Sequence, residues 1–466
     1  MFLQALPFIQ SYVESLSNEL KQEHKNYEFS ASQIIWFATC LMGVLFTNTI
    51  SWEGFSKISI GTYSKAALSK MCFKGKIGWN RLLICSTRMI LKKFKVIEGI
   101  LIIDDKNHSR SKKTNKIFGV HKQKDKKTGG YSMGQNIILL YLVTPYFCLP
   151  ISFLFYVPDP DLSQWARDKA LHKKQGRKEK FRTAPTRSPM HPKKYELAIE
   201  LLKNFAAEFP GFKVYTVLAD ALYGNKAFFN NVKIIFPKVQ IISQLRSDQN
   251  VIHRNQKLNI KAFFESYKGW KHKIIVRGGK HLEVMAGGAR LFVNAHGKKS
   301  LVVALKYIGE ESYRYLIADD LSWNMTEIMQ EYTLRWLIEV FIEDWVCYCG
   351  YCSLAKQRGY EGSARPLILS LLFDHCFLLH PQQQSFIEQR QPLATLGSLI
   401  NYAKCESVTH FISAIFNHED PVNYWIKVET RMREMFCTLR QSKKHMSGRS
   451  HIFKEKSIEK CCENAA

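Results

Sequence analysis

Acidic residues are scarce in this 466-residue sequence: 40 Asp and Glu stand against 67 Lys and Arg, which gives a formal net charge of +27 at pH 7. So little negative charge argues against a basic partner. The excess of positive charge favours a polyanionic binding partner, and it favours nucleic acid over a membrane surface. Hydrophobic residues make up 46% of the chain, which excludes a disordered polypeptide and provides for a large core.

Long apolar runs and a secretory leader are also missing. Residues 34–46 are apolar over only thirteen positions, which suits a core helix better than a bilayer, and two prolines interrupt the stretch 137–157. Residues 1–4 carry no basic side chain, so we predict neither a secretory signal nor a membrane partner. Twelve irregularly spaced cysteines then indicate reduced thiols in a cytoplasmic protein.

Apolar spacing divides the chain into helical and strand-rich parts. Segments 58–73 and 79–91 have the lengths of a helix-turn-helix DNA reader or of a plain helical packing pair. One long helix is predicted over 325–347. We predict a helical N-terminal DNA-binding domain at 1–95, a catalytic core in two parts at 96–233 and 318–385, a β-rich insertion at 234–317, and a helical basic C-terminal region at 386–466.

Acidic side chains occur where predicted strands end. Asp104 and Asp105 close one strand-like run, Asp220 closes another, and Glu339 lies in an apolar helical segment. Carboxylates at the ends of adjacent strands meet at one edge of a sheet, and a cluster of them needs a divalent cation to offset its repulsion. Oxygen ligands suit Mg²⁺, or Mn²⁺ in its place. A strand-terminal Asp can equally be a helix cap or turn former.

Tyr332, Arg335 and Glu339 follow one another at intervals of three and four residues. This spacing puts a phenol, a guanidinium and a carboxylate on one face of a helix, where they can serve one phosphate group. The alternative is an ordinary salt bridge between Arg335 and Glu339 on a half-buried helix.

Two basic runs stand out. Residues 106–127 hold nine Lys and Arg against one Asp, and residues 167–194, predicted to be an irregular loop, hold eleven against two acids. Both runs flank the predicted acids in sequence, which favours DNA contact over solubilising loops. The DNA-binding candidates in the first run are Lys106, Arg110, Lys112, Lys113 and Lys122.

These motifs resemble those of DDE transposases of the insertion sequence 4 family and its close bacterial relatives. That group's last motif, Tyr-x2-Arg-x3-Glu-x6-Lys, is matched at Tyr332, Arg335 and Glu339. Its first motif, a strand ending in Asp-Asp-Thr or Asp-Thr, is similar to residues 101–106, and its second Asp is similar to Asp220. The similarity extends over roughly 96–380, in the expected order.

The resemblance implies an α/β fold with a ribonuclease H-like mixed-sheet core and a β-rich insertion before the last acid. It implies that Asp105, Asp220 and Glu339 are the catalytic and metal-binding acids, because the group's first Asp directly precedes its Thr. Tyr332 and Arg335 would hold the DNA backbone. The implied activity is Mg²⁺-dependent cleavage of double-stranded DNA at an element's terminal inverted repeats, followed by strand transfer into target DNA. A homodimer on DNA, located on the nucleoid in the bacterial cytoplasm, is the expected working form.

Two positions depart from the group's pattern. Val346 occupies the place of the motif's Lys, seven residues after Glu339, and Lys106 occupies the place of the Thr. Lys106 can contact phosphate or compete with a cation, and Val346 removes a phosphate contact. An active insertion-sequence transposase, a catalytically impaired remnant that only binds DNA, and a general metal-dependent nuclease of the same fold are therefore the three hypotheses.

Overall fold

The computed structural model of the protein describes residues 5–110, 116–124, 129–176, 179, 181–277 and 279–436. Five helices come first. The second begins in a capping box, in which the Ser30 side chain accepts from the Gln33 amide and the Gln33 side chain accepts from the Ser30 amide. The bounds are α1 Pro7–Glu23, α2 Ala31–Thr47, α3 Trp52–Ile58, α4 Lys65–Lys74 and α5 Leu82–Lys93.

The fifth helix is a packing element. Residues 82–87 of α5 are all buried, together with Ile90 and Leu91. A recognition helix must present its side chains to a DNA groove, and these are covered. The structure thus favours the helical packing interpretation of 58–91 over a helix-turn-helix reader.

The central part of the sheet is built around its first strand. The elements in this part are β1 Glu98–Arg110, β2 His121–Lys124, β3 Tyr131–Val143, β4 Cys148–Tyr156, α6 Pro160–Lys174, α7 Lys194–Glu208, β5 Lys213–Ala219, α8 Lys226–Ile235 and β6 Gln240–Leu245. Strand β1 is antiparallel to β3 and parallel to β5, which is parallel to β6, and β3 pairs antiparallel with β2 and β4. Parallel and antiparallel pairs therefore share one sheet, and the mixed α/β class is confirmed.

The strands of 234–317 continue this same sheet, because β12 pairs with β6. From β6 the order is β12, β11, β10, β7 and β8, with β9 also pairing with β10. The elements are β7 Asn250–His253, β8 Gln256–Asn259, α9 Ile260–Glu265, β9 Lys271–Arg277, β10 Lys280–Val293, β11 Lys298–Tyr307 and β12 Arg314–Ala318. The division of the chain into five domains stays a prediction.

The remaining described elements are helices. They are α10 Met325–Thr333, α11 Trp336–Tyr348, α12 Gly359–Leu378, α13 Pro381–Glu388, α14 Leu396–Phe416 and α15 Pro421–Phe436. Within the described ranges, no single helix is long and apolar enough to cross a membrane. Two bent pairs, Ala31–Thr47 with Trp52–Ile58 and Gly359–Leu378 with Pro381–Glu388, meet the criteria only jointly.

Three predicted elements were wrong in part. The strand predicted to end at Asp104 and Asp105 continues to Arg110, because β3 pairs with it along that whole length. The helix predicted over 325–347 is divided at Leu334 and Arg335, whose amides bond to carbonyls three residues back instead of four. The loop predicted over 167–194 begins inside α6, since the Asp159 side chain caps that helix by accepting from the Asp161 and Leu162 amides. The cap and the following Pro160 outweigh the repulsion within the basic run.

Candidate active site

Three acid-bearing segments meet where β5 ends, beside the middle of β1. In the parallel pairing of β1 and β5, Ile102 lies opposite Leu218 and Ile103 opposite Ala219, so the next residues, Asp104 and Asp220, are level with each other. Helix α11 packs against the same strand and brings Glu339. The structure therefore brings the three segments to neighbouring positions, with Asp104 beside Asp220.

Asp104 and Asp105 point to opposite faces of the sheet, because side chains alternate along a strand. Ile102 is paired with Tyr141, whose ring lies 4.9 Å from that of Phe341 on α11, so Ile102 and Asp104 share the face covered by α11. Asp105 lies on the other face. By strand alternation the side chain of Asp104 shares the face of α11, although Asp105 also lines the cleft beside Glu339.

Arg335 joins two of the acids on the α11 face. Its Nη1 lies 3.1 Å from Asp104 Oδ2, and its Nη2 donates to Glu339 Oε1. The salt bridge between Arg335 and Glu339 matches the alternative interpretation of the sequence, an ordinary salt bridge within a helix. In the structure Arg335 also pairs with Asp104. The guanidinium is thereby held between carboxylates from two elements.

Asp105 has partners of its own on the opposite face. Lys194, the first residue of α7, places Nζ 2.8 Å from Asp105 Oδ2, and Asn136 of β3 donates to the same oxygen at 2.6 Å. The same Asn136 amide donates to Asn107. These contacts neutralise Asp105 and tie β1 to β3 and α7.

Burial and like charge act together on Asp104. Loss of water around its carboxyl raises the pKa of Asp104 to about 7; the nearby Asp220 carboxylate adds to the rise, while Arg335 opposes it. Burial also raises the pKa of Tyr332 to about 12, and its ring centre lies 5.8 Å from the guanidinium carbon of Arg335. The side of the sheet that α11 covers therefore presents several oxygen atoms that are largely shielded from water.

A cleft of about 410 Å³ opens beside these acids. Its lining includes Asp104, Asp105, Glu339 and the two departures from the family motif, Lys106 and Val346. Lys106 and Val346 therefore lie beside the acids. A second groove of about 990 Å³ lies further along β1, between α3, α4 and residues 352–357, and three cations line it: Lys65, Arg110 and Lys356.

Asp104 and Glu339 line the cleft, and Asp220 is level with Asp104 on the neighbouring strand. All three offer oxygen alone, which suits a hard divalent cation. Across the described part of the chain, no three His, Cys, Asp or Glu side chains are gathered closely enough to hold a metal ion as they stand. The guanidinium of Arg335 lies between two of the acids instead. Metal binding would require the carboxylates to exchange this partner.

The predicted DNA-binding residues are dispersed. Lys106 lines the acidic cleft, whereas Arg110 lines the second groove and donates through Nε to Gln135 at 2.9 Å. Lys122 is exposed, with its ammonium 4.3 Å from the Tyr131 ring centre. Lys112 and Lys113 lie outside the described residues.

Sequence reasoning left Lys194, Asn136 and Tyr223 out of the site. Tyr223 follows Asp220, is fully buried, and has an Oη with no hydrogen-bond partner among the residues that the structure describes. Burial raises its pKa, and the charges of Asp105, Asp104 and Asp220 raise it further. Lys194 ends a basic run, but no local signal singled it out. Its role depends on where α7 packs.

Comparison with known proteins links part of the chain to nucleases. Residues 66–262 match the family model described as DDE superfamily endonuclease, a segment that includes Asp104, Asp105 and Asp220 and ends before Glu339. The chain is also similar to a piggyBac transposase, solved by cryo-EM as a synaptic complex with hairpin DNA, at a TM-score of 0.41 and 9% identity over 95% of this chain and 86% of that one. No curated protein matches. The segment 66–262 is thus similar to a DDE superfamily endonuclease domain.

Proposed function

We propose that the protein is an insertion-sequence transposase that cuts DNA at element ends and joins them to target DNA. The observation that carries the proposal is that Asp104 is level with Asp220 on the neighbouring strand and is joined to Glu339 through Arg335. The family match over 66–262 supports the nuclease class. The order β4, β3, β1, β5, β6, with two strands parallel to β1, supports a ribonuclease H-like core.

The first acid of the triad is proposed to be Asp104 in place of Asp105. Asp104 is level with Asp220 and faces α11, whereas Asp105 is engaged by Lys194 and Asn136 on the other face. Asp105 then acts as a positioning residue that fixes β1 against α7.

A bound Mg²⁺, or Mn²⁺ in its place, would be held by Asp104, Asp220 and Glu339 and would polarise the scissile phosphodiester. Arg335 is placed to exchange its carboxylate partners for a DNA phosphate, since its planar fork suits either anion. The Tyr332 hydroxyl, on the residue beside Arg335, can donate a hydrogen bond nearby.

The DNA path is proposed to follow β1 from the acidic cleft to the larger groove. His108 and Arg110 lie four and six residues beyond Asp104 on the same strand and line the groove with Lys65 and Lys356. At about 3.3 Å per residue, the two sites are separated by roughly 13–20 Å, the span of a few nucleotides. A homodimer on the bacterial nucleoid is part of this proposal.

The test is cleavage of a duplex carrying the element's own terminal repeats, with Mg²⁺ and with Mn²⁺, beside a duplex of unrelated sequence. Asp104→Asn, Asp220→Asn and Glu339→Gln should each reduce cleavage by at least about a hundredfold while DNA binding persists. Asp105→Asn should cost no more than about tenfold. Full cleavage by Asp104→Asn, with loss in Asp105→Asn, would reverse the assignment. Equal cleavage of both duplexes would indicate a general nuclease.

The second candidate function is a DNA-binding remnant without catalysis. It is favoured by one observation, that Lys106 and Val346 both line the acidic cleft. Under this hypothesis the wild type binds terminal repeats and leaves them uncut. Restoration of cleavage by Val346→Lys with Lys106→Thr would identify a disabled transposase, and cutting by the wild type would reject the hypothesis.

A further inference from the structure

Helix α6 lies on the outside of the molecule. No residue of α6 is buried, whereas each of the other described α-helices has at least one buried residue. Most of the stability of a protein helix comes from packing one side against a core, and α6 contributes no residue to the core. Its outer side is therefore available to a partner.

One side of α6 is held by the chain segment that follows the helix. The Trp165 and His172 rings lie 6.0 and 5.2 Å from the Phe181 ring. Trp165 Nε1 donates to the Arg182 carbonyl at 2.9 Å, and Arg182 Nη2 donates to Asp168 Oδ2 at 2.8 Å. Residues 165, 168 and 172 follow one another at intervals of three and four, so they define one side of the helix, the inward side.

The opposite side of α6 carries positive charge and small residues. At about 100° per residue, its five residues are centred roughly 170° from the inward side, and all five are exposed. Both acids of the helix, Asp161 and Asp168, lie on the inward side, so no carboxylate interrupts the outer one. We call this set of five the α6 face: Ala166, Arg167, Ala170, Lys173 and Lys174.

The arrangement of the α6 face fits a groove of duplex DNA. Ala166 and Ala170 lie one turn apart along its middle, where short side chains let the helix backbone approach the edges of the bases. Lys173 borders the alanines on one side and Lys174 on the other, as contacts to the two phosphate backbones require. The major groove admits an α-helix, and the Arg167 guanidinium matches the two acceptors of a guanine there. A helix that served phosphates alone would need no small residues at its centre.

The segment that carries α6 begins and ends beside the proposed site of cleavage. Tyr156, the last residue of β4, lies across β3 from Asn107, which is two residues beyond Asp105 in β1. Lys194, where α7 begins, has its ammonium 5.5 Å from the Tyr156 ring centre and 2.8 Å from Asp105 Oδ2. From this base the fifteen residues of α6, at about 1.5 Å each, span roughly 22 Å, or about six base pairs.

We propose that α6 reads DNA sequence in the major groove beside the cleavage site, with Arg167 as the specificity-determining residue. The inference rests on the proposed function in taking duplex DNA as the ligand, and it does not depend on catalysis. It assigns sequence selection to the segment between β4 and α7, whereas the N-terminal helix α5 is a buried packing element.

Selection from a library of random-sequence duplexes tests the proposal, because it requires no knowledge of the element's ends. The full-length wild type should enrich one preferred sequence. Arg167→Ala should lower the ratio of its affinities for that sequence and for an unrelated duplex by at least about fivefold, the discrimination of one arginine–guanine pair. Lys169→Ala is the matched control and should keep the ratio. It removes one cation from the same helix, but the Lys169 ammonium lies 4.7 Å from the Trp165 ring centre, away from the α6 face.

Ala170→Leu separates insertion into a groove from attraction by charge. The substitution changes no charge, and leucine is a good helix former, so a contact made by charge alone would keep its affinity and its ratio. A helix inserted in the groove would instead be held away from the bases, and the ratio should fall by at least about fivefold. Both substituted residues are exposed, and thermal melts report the folding of each variant.

A wild type that binds duplexes but enriches no sequence would overturn the proposal. Folded Arg167→Ala and Ala170→Leu variants with the wild-type ratio would overturn it as well. If the wild type cuts its element's ends and its selected sequence does not depend on α6, this inference fails and the proposed function stands. If the wild type enriches a sequence through α6 and never cuts it, the proposed catalysis fails and this inference stands.

Discussion

Arg335 is the side chain on which the metal-free geometry of the acids depends. It contacts Asp104 and Glu339, and only 19% of its side-chain surface is exposed. A planar guanidinium can bind two carboxylates at once, whereas the point charge of a lysine cannot span them. Removing one contact leaves a half-buried carboxylate without its cation.

Arg335→Lys should therefore lower the free energy of unfolding by about 1–2 kcal/mol in metal-free buffer. Arg433→Lys is the control: Arg433 pairs with Glu429 four residues away on an exposed helix surface, and its loss should cost about 0.5 kcal/mol or less. Urea titration of both variants measures the difference. Equal stability of the two would show that the Asp104 contact contributes nothing.

Helices α2 and α3 approach each other closely at Gly43. A Cβ at this position would lie 2.6 Å from Cε1 of Phe55, a fully buried ring. The aromatic cluster around Trp36, Phe37 and Trp52 surrounds the contact and restricts any shift. The glycine is required by the packing of α3 on α2.

Gly43→Ala should destabilise the protein by about 1–2 kcal/mol, since overpacking exceeds the gain in helix propensity. Gly211→Ala is the control, because a Cβ there meets nothing within 4 Å, and the change should stay within about 0.5 kcal/mol. Thermal or urea unfolding measures both. A neutral Gly43→Ala would mean that Phe55 moves freely.

A buried hydrogen-bond chain connects the N-terminal helices to the sheet. Tyr12 of α1 contacts Ser86 of α5 at 2.8 Å; Ser86 contacts His375 Nδ1 at 2.8 Å, and His375 Nε2 lies 2.7 Å from the carbonyl of Pro150 in β4. Burial lowers the pKa of His375 to about 4, so the ring is neutral in the folded protein. The unfolded chain would protonate this histidine near pH 6.5.

The contribution of His375 to stability should therefore be complete above pH 6.5 and decline by about 3 kcal/mol as the pH falls to 4. Asp374 acts in the opposite direction, because burial raises its pKa to about 7. The His375 contribution is thus the difference between wild type and His375→Gln, measured by urea unfolding across this range. Exposed His410→Gln is the control, and an identical pH dependence for all three proteins would contradict the assignment.

Positive charge is unevenly distributed over the whole molecule. The groove along β1 carries Lys65, Arg110 and Lys356, whereas the α14–α15 hairpin is close to neutral. Each cation that neutralises a phosphate steepens the salt dependence of duplex binding by about 0.9 in a log–log plot. DNA should consequently bind to one side of the protein only.

Replacing Lys65, Arg110 and Lys356 together by alanine should reduce the slope of log affinity against log salt by about 2–3. Replacing Lys404, Lys427 and Arg431 on the hairpin removes the same charge and should leave the slope unchanged. Fluorescence anisotropy of a labelled duplex over a range of salt concentrations measures both. Equal reductions would show that net charge, without location, determines binding.

Local patterns in the sequence were sufficient for much of the fold. The strands that carry Asp104 and Asp220 were predicted because a run of β-prone residues is a local property. The five-domain division and the roles of the acids stay predictions. The break at Leu334 and Arg335 was missed, since apolar spacing continues across it.

Residue type and order along the chain were enough to single out Asp220 and Glu339 as candidates, and their roles stay predictions. The choice between Asp104 and Asp105 depended on which sheet face α11 covers, and the partnership of Asp105 with Lys194 depended on where α7 packs. Neighbouring residues on a strand differ in direction by half a turn, so a motif locates a pair of acids without stating which one faces the site. Contacts between segments more than two hundred residues apart, such as Arg335 with Asp104, are set by packing of the whole sheet and its helices, and no local pattern encodes them.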